Sequence, residues 1–410
     1  MDIEFVTVGT ELLLGFTHDT NAAVFARSLA PVGARVVRRA TVADDPDSIR
    51  AAVSDALNRT GFAVVSGGLG PTTDDITRES VAEELGLELS IDQTVLSDIE
   101  ARFARLHRGP MPESNRKQAQ VPEGAEVLAN AFGTAPGLWI ATDRGTVVLL
   151  PGVPREFRAL TEEHLVPRLA ALADSEIVIV SRTLRTTGVS ESSLTDNLGE
   201  HLPTISHVEV AFLPSLDGVD IRLTATGAHD FVARALDGAE TALRPVLGQQ
   251  LYGINDDDLA ALVLAELRAR GARLAVAESC TGGLIAARLT EVPGSSDVFT
   301  GGVVTYADEA KIHDLGVDPD ELARAGAVSD EVARAMVQGV VDRYDANAGI
   351  AVTGIAGPTG GSEEKPVGTV YLACAWNGAI EVVKRHLPGT RHEVRRRAVQ
   401  AALDLLRRML

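Results

Sequence analysis

Three stretches of this chain hold residue types that could do acyl chemistry, each following a short apolar run. The first is Ser279, Cys280 and Thr281, set between Glu278 and the pair Gly282 and Gly283. A hydroxyl at a strand end, followed by glycine amides at a helix start, suits a nucleophile facing an oxyanion hole. The same Ser279 and Thr281 could instead do no more than cap that helix. Tyr306 and Lys311 follow a second apolar run, and Thr353, Gly354 and Gly357 a third. Strands at 273–277, 302–306 and 348–353 would bring all three to the C-terminal edge of a parallel sheet, where ligands usually bind. Cys280 has no accompanying His motif to lower its thiol pKa, and Cys374 falls in a predicted hairpin strand.

Two Gly-rich stretches mark the N-terminal part. One spans residues 9–15 and carries Gly9 and Glu11; the other carries Gly67, Gly68 and Gly70, then Thr72, Asp74 and Asp75. Backbone amides of such loops, aimed by a helix N-terminus, form a phosphate cradle. Two adjacent acids beside it suit a divalent cation, because hard cations favour carboxylate oxygen. The plainer alternative is a tight turn whose acids complement a helix dipole. Lys117 lies in the stretch Asn-Arg-Lys-Gln at 115–118.

The elements that must carry these residues follow from periodicity. Apolar runs at 3–8, 34–39, 62–66, 137–141 and 146–150 alternate with helical patterns at 21–29, 47–57, 75–85 and 92–107. Such alternation implies a mainly parallel sheet with helices on both faces. Residues 175–250 read as β-α-β-β-α, with Asp217 and Gly218 signalling a hairpin. The α/β pattern then returns, with a hairpin over Asn377 and Gly378 and a capping box opened by Thr390 and Glu393. The fold class expected is α/β: two α/β domains, 1–172 and 254–410, joined by a small α+β module at 175–250.

Composition removes several classes. The chain has 410 residues and a formal charge of −19, whereas a dedicated nucleic-acid binder shows a basic face. The middle module lacks a Gly-x-x-Gly loop, so no direct nucleic-acid contact is expected there. No apolar run reaches the ~18 residues of a membrane span, and the acidic N-terminus lacks a signal region, so a cytoplasmic protein is expected. Two cysteines make no disulfide framework. No P-loop, Gly-x-Ser-x-Gly elbow or His-Glu-x-x-His motif occurs. Of 38 basic residues only four are Lys, at 117, 311, 365 and 384. Lys can lose its proton when desolvated and Arg cannot, which singles out Lys311 as a candidate base.

The motifs V-G-T-E-L-L-L-G, G-G-L-G-P-T-x-D-D, M-P-E-S-N-R-K-Q-A and L-P-G-V-P-R-E resemble the N-terminal half of the CinA family. A-E-S-C-T-G-G, V-V-T-Y-A-D-E-A-K, T-G-I-A-G-P-T-G-G and K-P-V-G-T-V-Y resemble its C-terminal domain. The resemblance implies a molybdopterin-binding-like N-terminal domain with ADP-ribose pyrophosphatase activity, using a divalent metal (Mg, Mn or Co) and an assisting potassium ion. Asp74 and Asp75 would sit at the metal and diphosphate; Gly9, Gly67, Gly68, Gly70 and Thr72 would line the nucleotide, with Glu11 and Lys117 in the same cleft. It implies a KH-like middle module and a homodimer.

For the C-terminal domain the resemblance implies a nicotinamide mononucleotide deamidase. In that scheme Ser279 is the nucleophile, Lys311 its base and Tyr306 a proton relay. Amides at Thr281, Gly282 and Gly283 form the oxyanion hole, and Thr353, Gly354 and Gly357 position the substrate. Arg391 would meet its phosphate. No metal is expected there. The alternative from another class is a non-catalytic competence or recombination accessory protein, with a recombination protein as partner and a nucleotide- or pterin-binding N-terminal domain.

Overall fold

The computed structural model describes residues 1–106, 109–173 and 176–410, the side chain of Thr204 excepted. The chain divides into two compact units, Met1–Val180 with Thr226–Ala233, and Ser181–Ala225 with Arg234–Leu410. The fold is α/β, with sheets and helices both abundant.

The first unit is built on a six-stranded sheet of β1 (Asp2–Val8), β2 (Arg35–Val42), β3 (Phe62–Ser66), β6 (Glu126–Leu128), β7 (Gly137–Thr142) and β8 (Gly145–Leu150), in the order β2-β1-β3-β8-β7-β6. A separate two-stranded ladder joins β4 (Leu89–Ile91) and β5 (Gln120–Pro122). β1, β2, β3 and β8 run parallel, whereas β7 and β6 add antiparallel, so the sheet is mixed. Strand alternation splits the core. Phe5 and Val64 pack on one face with Phe25 and Phe157, and Val6 and Val65 on the other with Ile49 and Val53. The helix expected over 92–107 spans Gln93–Arg105, and residue 107 lies outside the described residues.

Two further sheets lie mostly in the second unit, residues 177–180 and 226–228 of one of them being grouped with the first unit. One contains β9 (Ile177–Thr186), β10 (Glu209–Pro214), β11 (Val219–Ala228) and β12 (Leu251–Ile254), ordered β10-β11-β9-β12. The other contains β13 (Leu274–Glu278), β14 (Phe299–Val304), β15 (Ala348–Gly354), β16 (Thr369–Trp376) and β17 (Ala379–His386), ordered β14-β13-β15-β16-β17. β14, β13 and β15 are parallel, and β16 and β17 return as an antiparallel hairpin. Asn377 and Gly378 turn that hairpin, both with positive φ, as an Asn-Gly turn requires. Leu274 and Val276 face the helices Leu259–Ala269 and Arg391–Met409, while Ala275 and Ala277 face Asp330–Tyr344.

Candidate functional site

In the second unit, parallel register sets three strand ends side by side. Glu278 pairs with both Val304 and Val352, so the residues that follow share one edge. The Ser279 amide donates to Val352 O at 2.9 Å, and the Thr305 amide to Glu278 O at 2.8 Å. Glu278 itself is fully buried. Its carboxylate accepts from the amides of Gly283 (3.0 Å), Ile285 (3.1 Å) and Ala286 (2.9 Å), at the start of the helix Leu284–Thr290. A carboxylate at a helix N-terminus satisfies orphan donors and complements the dipole. Gly282 and Gly283 are both left-handed (φ 58° and 94°), which lets the chain reverse within two residues.

That geometry changes the expected oxyanion hole. The Gly283 amide is committed to Glu278, and the Gly282 amide donates to Ser279 O at 3.1 Å. Among the described residues, the Thr281 amide is left without a partner in this turn, and the Cys280 amide meets only its own thiol. Arg395 Nη2 holds Thr281 O at 2.7 Å, fixing the turn from the C-terminal helix. The hydroxyls of Thr281 and Thr305 are buried and unpartnered. Ser279 is nearly buried, and burial pushes the Cys280 thiol up to about 12, so Cys280 stays neutral and belongs to the apolar core.

The remaining residues of this edge fall into two groups. Tyr306, Gly357 and Arg391 come together: Arg391 donates to Tyr306 Oη at 2.5 Å and to Gly357 O at 2.7 Å. Lys311 is buried, and its Nζ contacts Thr305 O (3.1 Å), Tyr306 O (3.5 Å), Ala307 O (3.5 Å) and Asp308 Oδ1 (3.4 Å). It is therefore not hydrogen-bonded to Ser279, because backbone carbonyls capture the ammonium first. Thr353 likewise spends its hydroxyl on Ala327 O at 2.7 Å. Gly354 serves close packing, since a Cβ there would stand 2.9 Å from Thr369 O.

The first unit carries a cleft of about 480 Å³ beyond the C-terminal ends of β1, β3 and β8. The Gly-rich loop forms one wall, and two of its glycines, Gly67 and Gly68, are required by their positive φ as well as by space. A Cβ on Gly67 (φ 110°) would lie 2.3 Å from Val8 O, on Gly68 2.1 Å from Thr77 Oγ1, and on Gly70 2.4 Å from Asp75 Oδ2. Asp75 Oδ2 accepts from the Thr72 amide at 2.9 Å and from the Thr72 hydroxyl, so it shapes the loop as well as lining the cleft. Gly9, Glu11 and Asp74 line the same cleft. Lys117 does not: its ammonium braces the loop from outside, on Asp75 O (2.6 Å) and Thr72 O (3.2 Å), beside Glu79 at 3.4 Å. Thr72 also stands outside the lining.

Sequence reasoning missed several supports. Arg78 is fully buried, donating to Lys117 O and Leu69 O, and burial lowers its pKa. Asn21 donates to Ser66 Oγ at 3.1 Å and Gly152 O at 2.8 Å, while its Oδ1 is unpartnered. Only the position of Asn21 at a helix start hinted at a role; nothing in the pattern marked Arg78.

Six carboxylates line the cleft, from Glu11, Asp19, Asp44, Asp74, Asp75 and Glu156, and among the described residues no Lys or Arg does. Among the described residues no three His, Cys, Asp or Glu converge as a ready cation cage. That donor set suits a divalent ion of the Mg type, which takes one or two carboxylates and completes its shell with water and substrate phosphate.

These two sites define a multidomain α/β protein with a glycine-cradled acidic cleft and, elsewhere, a serine-bearing strand edge. Residues 4–171 match the family described as "Probable molybdopterin binding domain", 181–253 the "Damage-inducible protein CinA KH domain", and 256–410 the "CinA C-terminal domain". A CinA-like protein of Gemmatimonas aurantiaca is 51% identical over 411 residues, covering 100% of this chain and 96% of that protein. One of Frankia casuarinae is 42% identical over 418 residues, covering 100% and 96%. The crystal structure of competence/damage inducible protein CihA from Agrobacterium tumefaciens is 46% identical, covers 37% of this chain and 93% of its own, and has a TM-score of 0.36. The chain belongs to the CinA family. No helix among the described residues is long and apolar enough to cross a membrane.

Proposed function

We propose that this protein hydrolyses two pyridine-nucleotide-related substrates, the carboxamide of nicotinamide mononucleotide at the Ser279 edge and the diphosphate of ADP-ribose in the acidic cleft. The observation that carries the first activity is Ser279 on a strand end beside the unpartnered Thr281 amide and the Cys280 amide, which meets only its own thiol, in a turn whose following helix start Glu278 caps. Ser279 Oγ would attack the carboxamide carbon, and those two amides would face the developing oxyanion. Ammonia leaves with a proton, and water then releases nicotinate mononucleotide from the acyl-serine. Tyr306 accepts a hydrogen bond from Arg391, which leaves its own hydroxyl proton available to the leaving amine. Lys311 would take the Ser279 proton in this scheme as the neutral amine, after its ammonium has passed one proton to solvent and its Nζ has left a 3.5 Å carbonyl contact so that the lone pair faces Ser279.

The second activity rests on the glycine cradle beside carboxylates without any lining Lys or Arg among the described residues. A diphosphate cannot approach six acids unaided, so a divalent ion, with potassium assisting, would bridge the charges, held by Asp74 and Asp75. When bound, such an ion supplies Lewis-acid polarisation of the phosphoryl oxygens. The chain's own part is to cradle phosphate on the amides of the 67–70 loop, which Arg78 and Lys117 hold rigid.

The deciding experiment is ammonia release from nicotinamide mononucleotide by the full-length protein and by Ser279→Ala. Turnover by the wild type with a loss of at least ~10³-fold in the variant supports the reading. Equal turnover, or none from either folded protein, refutes it.

A further inference from the structure

The helix Arg391–Met409 reaches the Ser279 edge with two guanidinium groups one turn apart, on Arg391 and Arg395. Arg391 ties Tyr306 and Gly357, beyond the ends of β14 and β15. Arg395 turns instead to the segment that follows β13, where its Nη2 makes a charge-assisted bond to Thr281 O at 2.7 Å. Gly282 makes room for that guanidinium. A Cβ there would stand 3.2 Å from Arg395 Nη2, and the left-handed φ of 58° independently favours glycine.

Arg395 is half-buried, and among the described residues it forms no ion pair; its Nε is buried without a partner. Removing a cation from water without an acid to meet it is costly. Glu278, the acid of this turn, spends its carboxylate on the amides of Gly283, Ile285 and Ala286. The charge of Arg395 is therefore directed at backbone.

That backbone forms a chain leading to the proposed oxyanion hole. Thr281 O shares a peptide group with the Gly282 N–H, which donates to Ser279 O at 3.1 Å. Ser279 O shares a peptide group with the Cys280 N–H. From Arg395 to Cys280 every group donates in the same direction, so a positive charge at one end polarises each bond and strengthens the donor at the other. The Thr281 amide belongs to the intervening peptide and stands outside the chain. Burial, which pushes the Cys280 thiol up to about 12, is opposed by its own amide and by the charges of Arg395 and Arg391, and reinforced by Glu278. The guanidinium is thus felt at the residue where the chain ends.

We propose, on the reading of the Ser279 edge as an amide hydrolase, that Arg395 is the positioning residue of the oxyanion hole. It fixes the 281–282 peptide and, through the 279–280 peptide, makes the Cys280 amide a stronger donor to the developing oxyanion. It does not touch the substrate.

The chain has two cysteines, so full-length protein labelled with 15N-cysteine gives two amide signals, told apart by the loss of one in Cys374→Ala. Cys374, buried in β16, monitors the fold. Arg395→Gln, which keeps a donor but no charge, should move the Cys280 proton signal upfield and leave that of Cys374 in place. In the same variant kcat for nicotinamide mononucleotide should fall about ten-fold with KM within about two-fold, since a weakened donor costs less than the about 10²–10³ of one removed. Arg395→Lys keeps the cation without the planar fork and should lie between in both readouts. The proposal is overturned if the Cys280 signal of Arg395→Gln stays at its wild-type position, or shifts while kcat does not fall. It is overturned too if Arg395→Lys is as impaired as Arg395→Gln, the mark of a turn that has merely loosened. Should Arg395→Gln unfold and lose its Cys374 signal, an unmoved Cys280 signal in Arg395→Lys overturns it as well. A wild type without turnover, whose Cys280 signal still answers to Arg395, upholds the polarised chain and refutes only the assigned reaction.

Discussion

Glu278→Gln is the sharpest probe of the Ser279 edge, because one substitution removes a charge and one accepting oxygen with almost no change in volume. In the wild type one carboxylate oxygen accepts from Gly283 and Ile285, and the other from Ala286. An amide has one accepting oxygen. Whichever way the substituted side chain turns, its NH2 meets at least one backbone N–H head on, and the remaining bonds are no longer charge-assisted. A hydrogen bond to a charged group contributes about 1.5–3 kcal/mol, and a stranded buried donor costs about 1–3 kcal/mol. Some relaxation offsets this, so a net loss of ~3 kcal/mol in the local stability of the turn is expected. At ~1.4 kcal/mol per decade, exchange of the 282–290 amides should accelerate about 100-fold, while peptides of the first unit stay unchanged. Mass-spectrometric hydrogen exchange on the full chain reads this directly, and amide hydrolysis should fall in parallel as the Cys280 and Thr281 amides lose their aim. Glu278→Asp, too short to reach all three donors, should lie between. Exchange within about three-fold of wild type in Glu278→Gln would refute the idea that this carboxylate organises the turn.

Three further outcomes are expected. Lys311→Arg keeps the charge but cannot shed a proton, so kcat for amide hydrolysis should drop by about 10²–10⁴ with a smaller change in KM; near-wild-type turnover moves the base role elsewhere. Asp75→Asn retains an oxygen for the Thr72 amide, so the loop should survive while metal-dependent ADP-ribose cleavage is lost; full activity would make Asp75 a loop residue only. With its pKa pushed up to about 12, native Cys280 should resist iodoacetamide at about pH 8 while the unfolded chain reacts. Because the folded pKa lies above the unfolded one, the stability linked to this neutral thiol is full below ~8.5 and lost as pH rises towards about 12. Rapid native modification at that pH, measured as a mass shift on the Cys280 peptide, would contradict this.

Local chemistry was readable where a few adjacent residues decide the outcome. The Thr390 and Glu393 capping box, the Asn377 and Gly378 turn and the Ser329 cap all form as their sequences dictate. Residues 190–202 read as one helical stretch in the sequence, yet the helix stops at Leu198, because Gly199 follows and Pro203 cannot continue it. The three-residue strands β4, β5 and β6 are too short to show alternation, so periodicity does not reveal them. Nor does it reveal the helices Asp308–Leu315 and Pro319–Ala325, which lie in what reads as a motif loop. β12 is hidden for another reason: its pairing partner, β9, is some 70 residues distant.

At the sites, residue type and strand-end position were legible, but the aim of long polar side chains was not. Lys117, Lys311 and Thr353 each turn to carbonyl oxygens that only the folded backbone brings within reach. Glu278 reads in sequence as a generic acid, and its role appears only when the helix start folds back over it.

The acidic cleft has a kinetic corollary. Six carboxylates without a lining Lys or Arg among the described residues, on a chain of net charge −19, surround the cleft with a repulsive field for any free anion. Encounter with an anionic nucleotide should then be slow at low ionic strength and quicken as salt shortens the Debye length, the reverse of electrostatic steering. A nucleotide already complexed with a divalent ion carries less charge and feels less of this barrier. If the proposed substrate is right, the cleft would select the metal complex over the bare anion during diffusion, before any contact is made.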